Sequence, residues 1–225
     1  MKFFVDTANL DEVKKANAWG ILDGVTTNPS LIAKEGVPYK DRVLEICKVV
    51  GPGKAVSAEC IEADYDKMLA EAKDKASWHE NIYVKVPMTP AGVEVMATLS
   101  PQGVRFNCTL VFSVPQGLIA AKAGASFISF FVGRVDDMGS GEAMESVVDA
   151  VNMLETYNFP QKPEILVASI RSPLHVLESV RAGAQIATVP YKILEQLFHH
   201  PLTDIGIQRF TDDYKHAIEE MAKHH

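Results

Sequence analysis

Residues 82–88 read Ile-Tyr-Val-Lys-Val-Pro-Met, an apolar, β-branched and aromatic run with a single lysine at its centre. Such a run reads as a strand covered on both faces, the kind found in parallel sheets. Period-two alternation puts Val84 and Val86 on one side and Tyr83, Lys85 and Pro87 on the other. An ammonium inside such a strand is costly if unpaired. Desolvation favours the neutral amine, which is the nucleophilic form. An unperturbed lysine, with a pKa of about 10.4, is less than about 1% neutral at pH 7. Two plainer readings stay open: a structural pair with a carboxylate, and a side chain snorkelling to the rim.

Working outward, seven further runs share this character: Lys2–Thr7, Gly24–Asn28, Ala55–Cys60, Arg105–Val111, Phe127–Val132, Glu164–Ile170 and Ile186–Pro190. Stretches with helical periodicity separate them, for example Leu31–Val50 and Ile61–Lys75. Strand-then-helix alternation implies parallel pairing, because parallel neighbours need a long crossover. The chain has 225 residues and no Pro/Gly/Ser-rich linker. Eight units of roughly 28 residues predict a closed (β/α)8 (TIM) barrel, read as one domain over residues 1–225. An open doubly wound sheet fits the same alternation, but it usually carries a glycine-rich turn after its first strand. Here that turn reads DTANLDEV, without glycine. The closing segment, Thr203–Lys223, carries Ile207, Phe210, Tyr214, Ile218 and Met221 at helical spacing. This extra C-terminal helix either covers its own barrel or reaches a neighbouring subunit.

Composition narrows the partners. The formal net charge is −7 and the pI near 5.5, which argues against nucleic acid. No run of 18 apolar residues predicts a membrane span. Cys47, Cys60 and Cys108 are odd in number, lack CxxC spacing, and fit a reducing, cytoplasmic compartment. His175, His199 and His200 show no metal-ligand spacing, so a zinc-dependent reaction is disfavoured.

Distinctive polar residues recur where the strands end: Asp6, Asn28, Glu59, Lys85, Asn107 with Thr109, Ser129, Arg134, and Ser169 with Arg171. In a barrel these converge on the C-terminal mouth. Glu59 and Thr109, on the strands flanking Lys85, could hold a water beside the amine for carbinolamine formation and dehydration. Glu59 could equally be only the lysine's ion-pair partner. Asp6 is the candidate base for a hydroxyl proton in carbon–carbon cleavage, with helix capping as the alternative. Arg134, Ser169 and Arg171 suit a phosphate, which arginine grips bidentately. The arginines could instead pair with Asp136 and Asp137. Asn107 and Phe131 are expected to line the cavity, core packing being the alternative for Phe131. Cys60 and Cys108 should face away from it. A sugar-phosphate isomerase, with Lys85 merely electrostatic, and a non-catalytic effector-binding barrel are the rival readings.

At these residues the chain resembles the transaldolase family, in the short form shared with fructose-6-phosphate aldolase. The matching stretches run from end to end: FVDTAN, GVTTNPSLIAKEG, VKVPMT, NCTLVFS, AAKAGA, FVGRVDD, ASIR, ATVPYK and HPLTDIG. The resemblance implies a Schiff base on Lys85, acid/base work by Asp6, and a catalytic water handled by Glu59 and Thr109. It puts Asn28, Asn107 and Ser129 on the sugar, and Arg134, Ser169 and Arg171 on its phosphate. It also implies sugar-phosphate substrates, no cofactor, and a homo-oligomer, a pentamer or decamer, with the last helix crossing between subunits. Family transaldolases carry glutamate and phenylalanine where the aldolases carry glutamine and tyrosine. Glu59 and Phe131 therefore point to transfer of a dihydroxyacetone unit, in the pentose phosphate pathway, from sedoheptulose 7-phosphate or fructose 6-phosphate to an aldose phosphate. The alternative is an aldolase releasing free dihydroxyacetone. Phe130 departs from the proline common there, which puts the placement of Ser129 and Phe131 in question.

Overall fold

Each strand of this chain feeds at least one helix, and the first strand pairs with the last. The structure, a computed structural model, describes residues 1–139 and 143–223. In chain order the elements are β1 (Lys2–Asp6), α1 (Leu10–Ala18), β2 (Leu22–Thr26), α2 (Pro29–Glu35), α3 (Tyr39–Val50), β3 (Ala55–Glu59), α4 (Tyr65–Ala76), β4 (Ile82–Pro87) and α5 (Pro90–Leu99) with a 3-10 turn, Ser100–Gln102. Then come β5 (Phe106–Val111), α6 (Val114–Lys122), β6 (Phe127–Phe131), α7 (Val132–Asp137), α8 (Ala143–Thr156), β7 (Glu164–Ala168), α9 (Pro173–Arg181), β8 (Ile186–Val189), α10 (Tyr191–Gln196) and α11 (Pro201–Lys223). All strand pairs are parallel and β1 bonds to both β2 and β8, closing the (β/α)8 barrel. Among the described residues no helix is long and apolar enough to cross a membrane.

Several strands end one or two residues before the expected boundaries. Asn28, Thr89, Ser113 and Ser172 are helix N-caps, each with proline at the first or second helical position. Their side-chain oxygens accept from the backbone N–H groups of Leu31, Gly92, Gln116 and His175. Such caps start helices abruptly. Asn28 therefore stands past β2, at the head of α2; Arg134 lies on α7, which follows β6 directly and has no side-chain cap.

Alternation sorts the apolar side chains into two cores. Val5, Val25, Val56, Val84, Val86 and Ile128 face outward into the shell between strands and helices. Cys60 and Cys108 lie in that same shell, where burial pushes both thiols up to about 12. Phe4, Ala55, Phe127, Leu166 and Ile186, with Tyr83, fill the barrel axis at its N-terminal end. Tyr83 stacks on Phe127 at 4.3 Å and Phe4 meets Phe127 edge-on at 5.6 Å. Beneath this floor a hollow of about 320 Å3 is lined in part by Lys2, Arg105 and Asp23. Both of these cations already have partners: Lys2 pairs with Glu164, and Arg105 donates to the carbonyls of Glu80 and Ile82.

The floor explains Gly24. A Cβ there would lie 2.7 Å from both the Ala55 carbonyl oxygen and the Phe4 ring. Gly24→Ala is expected to destabilise the fold by at least about 2 kcal/mol, because one contact is backbone that cannot step aside. Urea unfolding should show the lower midpoint at an unchanged m-value.

Candidate active site

Above the aromatic floor the inward positions turn polar. Lys85 is buried, 6% exposed, yet it is not unpaired. Its Nζ lies 2.9 Å from Glu59 Oε2 and donates to the Thr27 carbonyl oxygen at 3.3 Å. Burial of the lysine agrees with the strand pattern; the ion pair with Glu59 is the second of the two roles open for that carboxylate. Thr109 Oγ1 is buried with no hydrogen-bond partner among the described residues, and it lines the same hollow as Glu59 and Lys85. A buried hydroxyl left without a protein partner is a group that a water or substrate oxygen would satisfy.

Asp6 points into the barrel and caps no helix. The α1 cap is Asn9, whose side chain accepts from Asp11 and Glu12. Thr26 Oγ1 donates to Asp6 Oδ1 at 2.7 Å and lies 2.5 Å from Thr188 Oγ1. Burial raises the Asp6 carboxyl above its ordinary value, opposed in part by the positive charge of Lys85 and the Thr26 bond. A carboxyl so placed, in the same hollow as a buried amine, is suited to proton transfer.

Two connected hollows meet at the lysine. One, of about 150 Å3, has Asp6, Thr26, Ser129, Ser169 and Thr188 on its walls. The other, of about 420 Å3, has Glu59, Thr109, Leu110 and the start of α2. Asn28, Lys85, Phe131 and Arg134 belong to both. Strict alternation forbids two consecutive strand residues from facing one cavity, yet Thr109 and Leu110 do so, and Ala168 is joined in the same way by Ser169, just past the end of β7. The reason is backbone conformation. Among the described residues Leu110 and Ser169 are the non-glycine residues at positive φ, both +60°, and the β5–β6 register jumps between Cys108 and Val111. Left-handed backbone at a side-chain-bearing residue costs about 1–2 kcal/mol and concentrates at functional sites.

The anion-binding candidates separate in space. Arg134 reaches both hollows and lies 5.2 Å from the Phe131 ring. Ser169 lines the smaller hollow. Arg171 stands at the rim, 52% exposed, donating from both terminal nitrogens to Asp137 at 3.0 and 2.6 Å. Asp136 meets His175 Nε2 at 2.9 Å, and the Arg171 N–H donates to His175 Nδ1 at 3.2 Å. These contacts bind α7 to the start of α9. Gly133 makes the approach close: a Cβ there would come within 2.2 Å of the Ser169 carbonyl oxygen.

Asn107 is fully buried beneath the hollows in a belt: Ser129 Oγ donates to its Oδ1 at 2.6 Å, and its Nδ2 donates to Ser57 Oγ at 3.0 Å. Phe130 faces the outer shell, where a Cβ on Gly117 would come within 2.9 Å of its ring. The small residue makes room, so Ser129 and Phe131 both still line the mouth. Thr26, Ser57 and Thr188 also belong to the site's framework, and nothing in their residue type sets them apart in the sequence. Threonine and serine are ordinary in strands, and only the inward phase of their strands could have marked them.

A family model described as transaldolase/fructose-6-phosphate aldolase matches residues 3–225. The chain is 51% identical over 216 residues to a protein of Kosmotoga olearia named "Probable transaldolase", covering 96% of each chain. It is 52% identical over 221 residues to one of Aquifex aeolicus with the same name, covering 98% of this chain and 99% of that one. Among solved structures, a putative dihydrodipicolinate synthase family protein from Coccidioides immitis superposes with TM-score 0.58 at 12% identity, over 83% of this chain. The match spans 65% of that chain, less than two thirds, and this likeness is one of fold alone.

Asp6 gives a measurable pH signature. A carboxyl raised above 3.8 in the folded chain binds its proton more tightly there than when unfolded. Its contribution to stability is complete below 3.8 and is lost as pH rises through the raised value. Asp6→Asn keeps the size and an acceptor for Thr26, so it should unfold at a higher temperature than the parent near neutral pH. The gap should close toward about pH 3. A variant less stable at neutral pH, or a gap independent of pH, contradicts this account.

Proposed function

The chain belongs to the transaldolase/fructose-6-phosphate aldolase family, and we propose that it transfers a dihydroxyacetone unit from a ketose phosphate to an aldose phosphate through a Schiff base on Lys85. The observation that carries this reading is the buried Lys85 amine, 2.9 Å from Glu59 in a hollow it shares with Asp6.

Glu59 takes a proton from the Lys85 ammonium, and the neutral amine attacks the ketone of fructose 6-phosphate or sedoheptulose 7-phosphate. The carbinolamine hydroxyl takes that proton back from Glu59 and leaves as water, which Glu59 and the Thr109 hydroxyl hold. Asp6 then accepts the proton of the hydroxyl on carbon 4, the bond between carbons 3 and 4 breaks, and its electron pair moves into the protonated imine. The aldose phosphate departs, and Lys85 keeps the three-carbon enamine. An acceptor aldehyde captures it, Asp6 returns the proton, and water hydrolyses the imine. The protonated imine is the electron sink, so the cycle as written uses no cofactor.

Arg134 and Ser169 hold the phosphate. Arg171 joins them by exchanging Asp137 for it, which costs little because an exposed ion pair is worth at most about 1 kcal/mol. Asn28, Asn107 and Ser129 serve the sugar hydroxyls, Asn107 through Ser129. Phe131 offers no proton or water anchor beside the enamine, which favours transfer over release of free dihydroxyacetone. The activity fits the pentose phosphate pathway in the cytoplasm. The apolar residues of α11, among them Ile207, Phe210 and Tyr214, are exposed, and no residue of that helix is buried. We assign this face to contact with a second copy in a homo-oligomer of pentamer or decamer type.

Borohydride reduction in the presence of fructose 6-phosphate should add the mass of a reduced three- or six-carbon adduct at Lys85 alone, and Lys85→Ala should abolish both labelling and turnover. An unlabelled Lys85 in an active enzyme would falsify the Schiff-base reading and favour an isomerase. Arg134→Ala should raise KM for phosphorylated donors about 10- to 100-fold, the equivalent of a charge-assisted bond of about 1.5–3 kcal/mol. Adduct formation with unphosphorylated dihydroxyacetone should hardly change.

A further inference from the structure

The ladder between β2 and β3 stops one rung short, at the site. Register pairs Gly24, Val25 and Thr26 with Ala55, Val56 and Ser57. The Thr27 N–H then donates to the Ser57 carbonyl at 3.4 Å. In a regular parallel ladder the next rung runs from the Glu59 N–H to the Thr27 carbonyl. That rung is replaced. The Glu59 N–H donates instead to the hydroxyl oxygen of Tyr39 at 2.7 Å, and the Thr27 carbonyl accepts from Lys85 Nζ.

Tyr39 opens α3 and its ring is fixed from behind. Lys75 Nζ sits 4.3 Å from the ring centroid, and the Trp78 ring lies 6.0 Å away. Lys75 is itself buried and paired with Glu71 at 3.2 Å, and the Glu71 carboxylate accepts from the N–H groups of Ile61 and Glu62. One cluster thus holds both the tyrosine and the chain just past β3. Burial pushes the Tyr39 hydroxyl up to about 12, so it keeps its proton near neutral pH and does not itself work as a base.

We propose that Tyr39 is a positioning residue for the reaction: its hydroxyl takes the place of a β2–β3 rung, and so keeps the Thr27 carbonyl and Glu59 on either side of the Lys85 amine. Without the hydroxyl, β2 and β3 can zip one rung further. Thr27 O would then turn from Lys85 to the Glu59 N–H, and the Glu59 carboxylate would move with its backbone. This inference rests on the Schiff-base reading above.

Tyr39→Phe keeps the ring against Lys75 and Trp78 and removes only the hydroxyl. Trp78→Phe loosens the packing behind the ring and leaves the hydroxyl in place. The measurement is the rate at which Lys85 becomes trappable by borohydride at saturating fructose 6-phosphate, with KM and the unfolding midpoint read on the same samples. Tyr39→Phe should slow adduct formation about tenfold or more, the scale expected of a misplacement near 1 Å, with KM within about threefold and the final labelled fraction equal to the parent's. Trp78→Phe should form the adduct at the parental rate even where its midpoint falls. A parental rate in Tyr39→Phe, or equal slowing in both variants, overturns the positioning role alone. A parent that never labels overturns the Schiff-base reading and this inference with it.

Discussion

A lysine and a glutamate 2.9 Å apart inside a closed barrel set the terms for everything around them. Withdrawing two charges from water costs several kcal/mol per ion, and the pair's attraction repays this only when the remaining polar valences are also met. Here the Thr27 carbonyl accepts a hydrogen bond from the ammonium, the Glu59 backbone N–H donates to Tyr39, and Thr109 beside them has no partner among the described residues. Apolar residues of similar volume would hold the strands together at least as well. On the proposed Schiff-base reading, the ions at the centre of the barrel serve the chemistry rather than the folding.

The same logic orders the interior along its axis. Aromatic and aliphatic side chains close the N-terminal end, hydroxyls and amides form the middle, and charged groups occupy the C-terminal mouth. The Asn107–Ser129–Ser57 belt satisfies polar atoms that would otherwise be orphaned under the ion pair. The Thr188–Thr26–Asp6 chain does the same across the barrel, and it fixes the rotamer of a carboxylate whose burial keeps its proton affinity high.

Much of this could be read from alternation. Eight apolar runs with inward polar phases place Asp6, Glu59, Lys85, Thr109 and Ser129 in one lumen, because a strand's side chains have only two directions to choose from. Where the backbone leaves that two-way choice, pattern reading loses its hold. Leu110 and Ser169 join the cavity through left-handed backbone that nothing in their side chains announces. Desolvation of Lys85 was legible, but its partner's distance was not, since register between strands comes from packing. For Arg171 the sequence leaves phosphate binding and pairing with Asp136 or Asp137 both open, and the structure ties it to Asp137, because α7 folds back across the end of β7. Tyr39 lies 20 residues before the glutamate it steadies, and only the missing rung reveals the connection.

The aromatic plug of Phe4, Tyr83 and Phe127, seated on the missing side chain of Gly24, makes the lumen a blind well. A blind well has one doorway, so arriving and departing molecules cannot pass each other. On the proposed mechanism, in which Lys85 holds a three-carbon fragment, the first sugar must clear the doorway before the second can enter. Turn-taking between the two sugars is thus imposed by masonry at the far end of the barrel, remote from every reacting atom.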